Sequence, residues 1–404
     1  METPQRSAIV AAALDHVDVD LAVQLTQEFV RIPTVLGEEG EGAQFLQRTM
    51  DALGCPSTTL QEVEAERYNA IGLWDTQRSG PTVVLTGHID TKPVSVGWDR
   101  DPFGGQLEAD RLYGHGIMDM KAGLICQIVA IKAVMDAGLN LHGRAYAAAV
   151  CDHMGQQQGS IRFFQDVSAD MAVLGELSDL EIYVGHRGRY YFDITTIGRS
   201  AHTCHKHQAI NAIAKAVAVV QEIEPIVYTP DIDAATSRLF GDELFMACGR
   251  IYGGLPPGGP SMIPDECTIR VDTRPQPGVS LEETQSVIEA ALRRVESRDP
   301  EFQARLEVAD VKAPHLISPD SIVYQLMQQA VTEVTGRQPQ PHAASWLGDT
   351  SSFGSQVPTV IYGPGREPVY MPNEYLDLRD IHEATRVYAA WTALALNAAT
   401  ATAV

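Results

Sequence analysis

Paired cysteines are missing from this sequence. Its six cysteines, at positions 55, 126, 151, 204, 248 and 267, lie scattered with no C-x-x-C spacing. A chain of this length needs no staples, so they read as free thiols in a reducing, cytoplasmic setting. Positive charge is also scarce: 30 Lys and Arg stand against 52 Asp and Glu, a net charge of -22. Such a surface repels phosphate backbones and anionic lipid, which argues against nucleic-acid and membrane partners. Long apolar runs are absent as well. The alanine-rich end, YAAWTALALNAATATAV, is too short and too polar to span a bilayer and reads as a terminal helix with a frayed tail. The opening METPQRSAIVAAALDHVDVD has only a short apolar stretch before Asp15 and no cleavage signature, so it reads as a helix rather than a signal peptide. No internal repeat or low-complexity segment is present.

The remaining composition, 45% hydrophobic and 20% charged over 404 residues, is that of a globular protein long enough for two domains. From about residue 20 to 190, apolar strands (YNAIGLW, PTVVLTG, AYAAAV, MAVLGE) alternate with helical patterns such as DMKAGLICQIVAIKAVMDAG. That rhythm predicts an α/β domain with a mostly parallel sheet flanked by helices, and chemistry at its strand ends. After RGRYYFDITTIG the order becomes βαββαβ, with a helix opened by a capping box from Ser280 to Glu283. An inserted α+β lid is therefore expected at 190–311, between a first catalytic segment at 1–189 and a second at 312–404. The second segment carries a helix near 320–336, the strand PTVIYG and a final helix after Leu378. The stretch GGLPPGGPSMIP reads as a loop within the lid.

Three strand ends carry metal-ligand chemistry. PTVVLTG runs into HIDTKP, putting His88 at a carboxyl end with Asp90 two residues on, a ligand beside a carboxylate that can orient its second ring nitrogen. Asp119 in LYGHGIMDMKAG is expected to open the long helix, and Glu176 follows another apolar strand in LGELSD. Alone, each is weak; together they can converge over one sheet edge.

These segments, with GRSAHTCHKHQAINAI, IRVDTRP and YGPGREPVYMPNEY, fall in the order of the zinc aminoacylase and carboxypeptidase family, which the chain resembles over nearly its whole length. Acetylornithine deacetylase, succinyl-diaminopimelate desuccinylase and glutamate carboxypeptidase are members. The resemblance implies one metal held by His88, Asp119 and Glu176. A second metal would share Asp119 and add a glutamate and a histidine, but those positions are Met154 and Tyr370. The family's general-base glutamate is His153, within CDHMGQQQG. Both lost ligands belong to one metal, so the resemblance implies a single zinc per chain or, failing that, none. Three protein ligands with an open position is the usual count for a catalytic zinc.

The changed positions leave alternatives open. His153 is a replacement base, a replacement ligand or a space-filling imidazole. Met154 is a poor zinc ligand and is expected to pack in the vacated place. Tyr370 donates to an oxyanion, ligates as phenolate or lines a wall. By resemblance, His202 reaches from a partner subunit to polarise the scissile carbonyl, implying a homodimer through the inserted domain, and Arg274 clamps a substrate carboxylate. Ser261 stands where the family has asparagine, and Asp349 in LGDTSSF replaces a glycine-rich substrate loop. Arg187, Arg189 and Lys121 are either further carboxylate partners or solvated bases. The leading expectation is a zinc-dependent amide hydrolase acting on a small carboxylate-bearing N-acyl amino acid. The alternatives are a non-hydrolytic condensation, cyclisation or elimination on the same scaffold, and a metal-free binding protein.

Overall fold

A computed structural model describes residues 3–254 and 261–398. The middle of the loop GGLPPGGPSMIP, residues 255–260, and the tail after Ala398 lie outside the described residues. The chain divides into two compact units, one of Met1–Gly185, Ile317–His342 and Gly348–Val404, the other of His186–Leu316 with Ala343–Leu347.

The first unit is built on a large sheet. Its strands run in the order Ser57–Glu64, Arg67–Asp75, Arg144–Val150, Thr82–His88, Met171–Leu174, Thr359–Ile361 and Ile182–His186. The central pairings, Thr82–His88 with Arg144–Val150 and Met171–Leu174, and Met171–Leu174 with Thr359–Ile361, are parallel. Outer strands run antiparallel. From Val83 to His88 every residue of the central strand is buried, as a strand covered on both faces requires. One cover is the helix Ala122–Asp136, buried nearly all round, which packs against the helix Leu378–Asn397. On the helix Gln158–Asp166, Phe163 and Phe164 join Val84, Val150, Ala172 and Phe353 in one apolar cluster.

The second unit is an antiparallel sheet in the order Phe245–Gly253, Glu266–Arg274, Arg189–Ile197, Ala304–Lys312. Its helices Ala212–Ile223 and Leu281–Arg298 bury Ala216, Val219, Ile288 and Val295 against Phe192, Ile194, Ile269 and Val271. The βαββαβ order holds, with one further short helix, Ala234–Phe240. Only half of the expected capping box forms. Ser280 Oγ accepts from the Glu283 N–H at 3.0 Å, but the Glu283 carboxylate accepts from Tyr228 Oη at 2.7 Å and not from the cap.

Around the first unit's strand ends the backbones are crowded. A Cβ on Gly363 would lie 2.4 Å from the Glu176 carbonyl oxygen and 2.5 Å from that of Gly175, and one on Gly123 would lie 2.3 Å from the same Gly175 oxygen. Backbone cannot yield as a side-chain tip does, so these positions accept only glycine without displacing the Gly175–Glu176 turn. Gly363→Ala is expected to lower the unfolding free energy by about 1–3 kcal/mol, the cost of overpacking. An unchanged denaturant midpoint would refute the close approach.

Candidate active site

The carboxyl ends of the central strands bring His88, Asp90, Asp119, His153 and Glu176 together. His88 closes its strand and is fully buried. Its Nδ1 lies 2.8 Å from the Asp90 main-chain oxygen, so Nδ1 carries the proton and Nε2 points away from the strand. Nε2 meets Asp119 Oδ1 at 2.9 Å and Glu176 Oε1 at 3.1 Å. Three lone-pair-bearing atoms thus face one another out of water. They require a proton or a cation among them, whether a second proton on His88, a proton on Glu176 or a metal ion, and the imidazole-plus-two-carboxylate set is one that zinc accepts. Burial opposes charging of His88, but the Glu176 and Asp119 carboxylates raise its pKa well above the ordinary value. Burial, then Asp119, pushes Glu176 up. A divalent cation relieves both strains at once.

Two expectations are corrected at this point. Asp119 does not open the long helix: the helix begins at Ala122, and Asp119 sits before it in a turn with non-helical backbone angles. Nor does the Asp90 carboxylate orient His88, since the Asp90 carbonyl does so. The carboxylate instead accepts the N–H groups of His153 at 3.0 Å and Met154 at 2.8 Å, fixing the loop after the strand Arg144–Val150.

That loop is braced from behind. Asp152, at a φ of 70°, accepts from the N–H groups of Gln156 and Gln158, and Arg67 donates to both Asp152 and the buried Glu39. His153 stacks on His88 with ring centroids 4.2 Å apart and planes 8° from parallel. Its Nδ1 bonds Asp349 Oδ1 at 2.8 Å, and the other Asp349 oxygen accepts from Ser160 Oγ at 2.8 Å. The expected substrate role of Asp349 is therefore replaced by contact with His153. Ligand atoms of His88, His153 and Glu176 all lie within 4.8 Å of one another, so by distance His153 is a candidate ligand as well as a proton carrier. Its Nδ1 is engaged by Asp349, whereas His88 Nε2 faces Asp119 and Glu176.

Tyr370 donates from Oη to the Asp119 main-chain oxygen at 3.2 Å, and burial followed by the Asp119 charge raises its pKa well above the ordinary value. Both effects favour the neutral phenol, a donor. Glu374, which sequence reasoning did not single out, gathers the N–H groups of Met118 at 3.0 Å, Tyr370 at 3.2 Å and Gly116 at 3.4 Å. Burial pushes its pKa up to about 7. Its place in MPNEY was the available signal. Lys121 is not a solvated base: it is fully buried, donates to the carbonyls of Ile32 at 2.6 Å and Phe29 at 3.3 Å, and is brought down to about 7 by burial.

The remaining residues belong to the second unit. Arg187 is buried and donates to the carbonyls of Glu243, Arg274 and Phe240, so it ties backbone together and is not a substrate partner. Arg189 pairs with Asp310 at 2.6 Å and Arg274 with Asp272 at 2.8 Å. The Ser261 carbonyl accepts from the Thr203 N–H at 2.7 Å. His202 is exposed, its Nδ1 accepting from the Cys204 N–H at 3.2 Å.

Residues 84–393 match the family model described as peptidase family M20/M25/M40. The chain is 26% identical over 346 residues to an acetylornithine deacetylase of Aliivibrio salmonicida, covering 82% of this chain and 85% of the relative. It is also 26% identical over 399 residues to a succinyl-diaminopimelate desuccinylase of Methylobacterium radiotolerans, covering 93% and 96%. Among solved structures, the M20 family metallo-carboxypeptidase Sso-CP2 of Sulfolobus solfataricus superposes with a TM-score of 0.74 at 17% identity, covering 93% of this chain and 99% of the other. The di-peptidase Dug1p of Saccharomyces cerevisiae does so at 0.76 and 13%, covering 96% and 99%.

Elemental analysis separates the ligand assignments. Glu176→Ala is expected to lose bound zinc, whereas Tyr370→Phe is expected to retain it at the wild-type ratio per chain. Equal retention in the two variants would remove the assigned site.

Proposed function

The chain belongs to peptidase family M20/M25/M40, a family of metal-dependent hydrolases of amide bonds, and from that premise we propose a single-zinc deacylase acting on a small carboxylate-bearing N-acyl amino acid. The observation that carries the reading is the convergence of His88 Nε2 with Asp119 Oδ1 and Glu176 Oε1 at 2.9 and 3.1 Å. His88, Asp119 and Glu176 would hold the ion. When bound, the ion supplies Lewis-acid polarisation of the acyl oxygen and makes water more acidic.

The chain's own residues do the rest. His153, with Nδ1–H committed to Asp349, keeps Nε2 as a proton acceptor. It takes a proton from the attacking water as the oxygen adds to the acyl carbon. When the tetrahedral adduct collapses and the C–N bond breaks, the same nitrogen returns that proton to the departing amine, leaving a carboxylic acid and a free amino group. Tyr370 Oη, a neutral donor beside Asp119, is available to the developing oxyanion. Arg274 is proposed to meet the substrate carboxylate, exchanging its Asp272 contact for it. His202 is proposed to act from the partner subunit of a homodimer. The names of the relatives, deacetylase and desuccinylase, support an N-acyl amino acid as substrate. All six cysteines are unpaired, and among the described residues no helix is long and apolar enough to cross a membrane, in keeping with a cytoplasmic enzyme.

Zinc-loaded protein is expected to release free amine from N-acetyl or N-succinyl amino acids. His153→Ala is expected to lower kcat by about 10²–10⁴, the usual contribution of a positioned acid–base group. No turnover on any N-acyl amino acid by protein carrying one zinc per chain would sink the hydrolytic reading. A second outcome tests the shared site: mixing His202→Ala and His153→Ala subunits is expected to recover activity in trans, because one of the two sites then holds both wild-type residues. Failure of a mixed dimer, once its formation is verified, would remove the role of His202.

A further inference from the structure

We propose that Asp349, held by Ser160, is the positioning residue that makes His153 a proton carrier rather than a metal ligand. The inference deepens the hydrolase reading and rests on it for its catalytic consequence, but not for its structural one.

Four observations converge. First, the Asp349 side chain is buried and divides its two oxygens between His153 Nδ1 and Ser160 Oγ, each at 2.8 Å. A buried carboxylate with both oxygens committed to donors is fixed in rotation as well as in position. Second, the segment that carries it is stitched to the segment that carries His153. Gln157 Nε2 donates to the Gly348 carbonyl at 3.3 Å, and Ser351 Oγ donates to Gln157 Oε1 at 2.7 Å. Third, Phe353, one turn beyond Asp349, stacks on Phe164 at 3.8 Å between centroids, anchoring the Asp349 segment to the same helix that presents Ser160. Fourth, the imidazole lies in a nearly parallel stack on His88, so turning the ring out of that stack would break its bond to Asp349.

The consequence is a tautomer. An imidazole free in water prefers its proton on Nε2, which would leave His153 with nothing to accept through on the side of Glu176. Asp349 is acceptor-only when ionised, so it selects Nδ1–H and leaves the lone pair on Nε2. His153 Nε2 lies 3.8 Å from Glu176 Oε1, beyond hydrogen-bond distance, so that lone pair is not consumed within the site. Ser160 acts one step further out, keeping Asp349 turned toward His153.

The test combines turnover with a spectroscopic readout on the zinc-loaded protein. In wild type, ¹⁵N-histidine NMR, with the His153 signal assigned by its loss in His153→Gln, is expected to report the Nδ1–H tautomer. In Asp349→Ala that signal is expected to shift toward the Nε2–H form. With kcat reduced by about 10²–10³, KM is expected to stay within about twofold of wild type. In the His153→Ala background, Asp349→Ala is expected to cost nothing more, since the two act as one unit. Ser160→Ala, which leaves the Asp349–His153 bond in place, is expected to move both readouts in the same direction by less, and it serves if Asp349→Ala does not fold. An Nε2–H tautomer in wild type would overturn the proposal. So would a raised KM at unchanged kcat, which would mark Asp349 as a substrate contact, or an undiminished cost of Asp349→Ala without His153. If no N-acyl amino acid is turned over, the hydrolase reading fails, and the tautomer measurement alone still decides the role of Asp349.

Discussion

Asp90 joins the two halves of the site through different atoms of one residue. Its carbonyl receives the Nδ1 proton of His88, and its carboxylate receives the N–H groups of His153 and Met154. The residue is fully buried, and burial raises its pKa against the opposing pull of His88, His153 and the Met154 N–H. Because one residue sets both, the ligand imidazole and the proton-carrying imidazole stand in a fixed relation, stacked 4.2 Å apart.

Charge gives the same site its need for a cation. Asp90, Asp119, Glu176 and Asp349 are all buried in one cluster, and His88 and His153 are the basic groups that face them among the described residues. Carboxylates gathered out of water repel one another and lose hydration, and two imidazoles offset that in part. In the proposed reading, a divalent ion held by His88, Asp119 and Glu176 would supply the remaining balance. The carboxyl ends of parallel strands are where such a gathering can be built, because consecutive strands deliver their loops to one edge. The crowding of Gly123 and Gly363 against the Gly175–Glu176 turn keeps the carboxylate from backing away.

The altered positions support the proposal of one ion rather than two. Met154 contributes its N–H to Asp90 and offers only a thioether, a soft ligand that suits zinc poorly. Tyr370 bonds the Asp119 carbonyl as a neutral phenol. Neither adds the negative charge or basic nitrogen that a second cation would need. His153 differs from a glutamate base in requiring a defined tautomer, and that requirement is met by a carboxylate and a serine hydroxyl from elsewhere in the chain.

The sequence by itself determined the α/β architecture and the inserted βαββαβ sheet, which depend on hydrophobic period and local motifs written within a few neighbouring residues. The set His88, Asp119 and Glu176 was legible through the family resemblance, since local pattern said only that each stood where a ligand could. Tertiary structure alone decided the side-chain partnerships. His153 and Asp349 are 196 positions apart, and Ser160 and Asp349 are 189 apart, so no local pattern joins them. The same holds for Asp90, whose carbonyl took the role expected of its carboxylate, and for Arg187, whose guanidinium went to backbone carbonyls in its own unit. Residue type announces that a group can donate, accept or ligate. Which partner it finds is settled by packing, because a buried polar group must be satisfied by whatever the folded chain brings within about 3 Å.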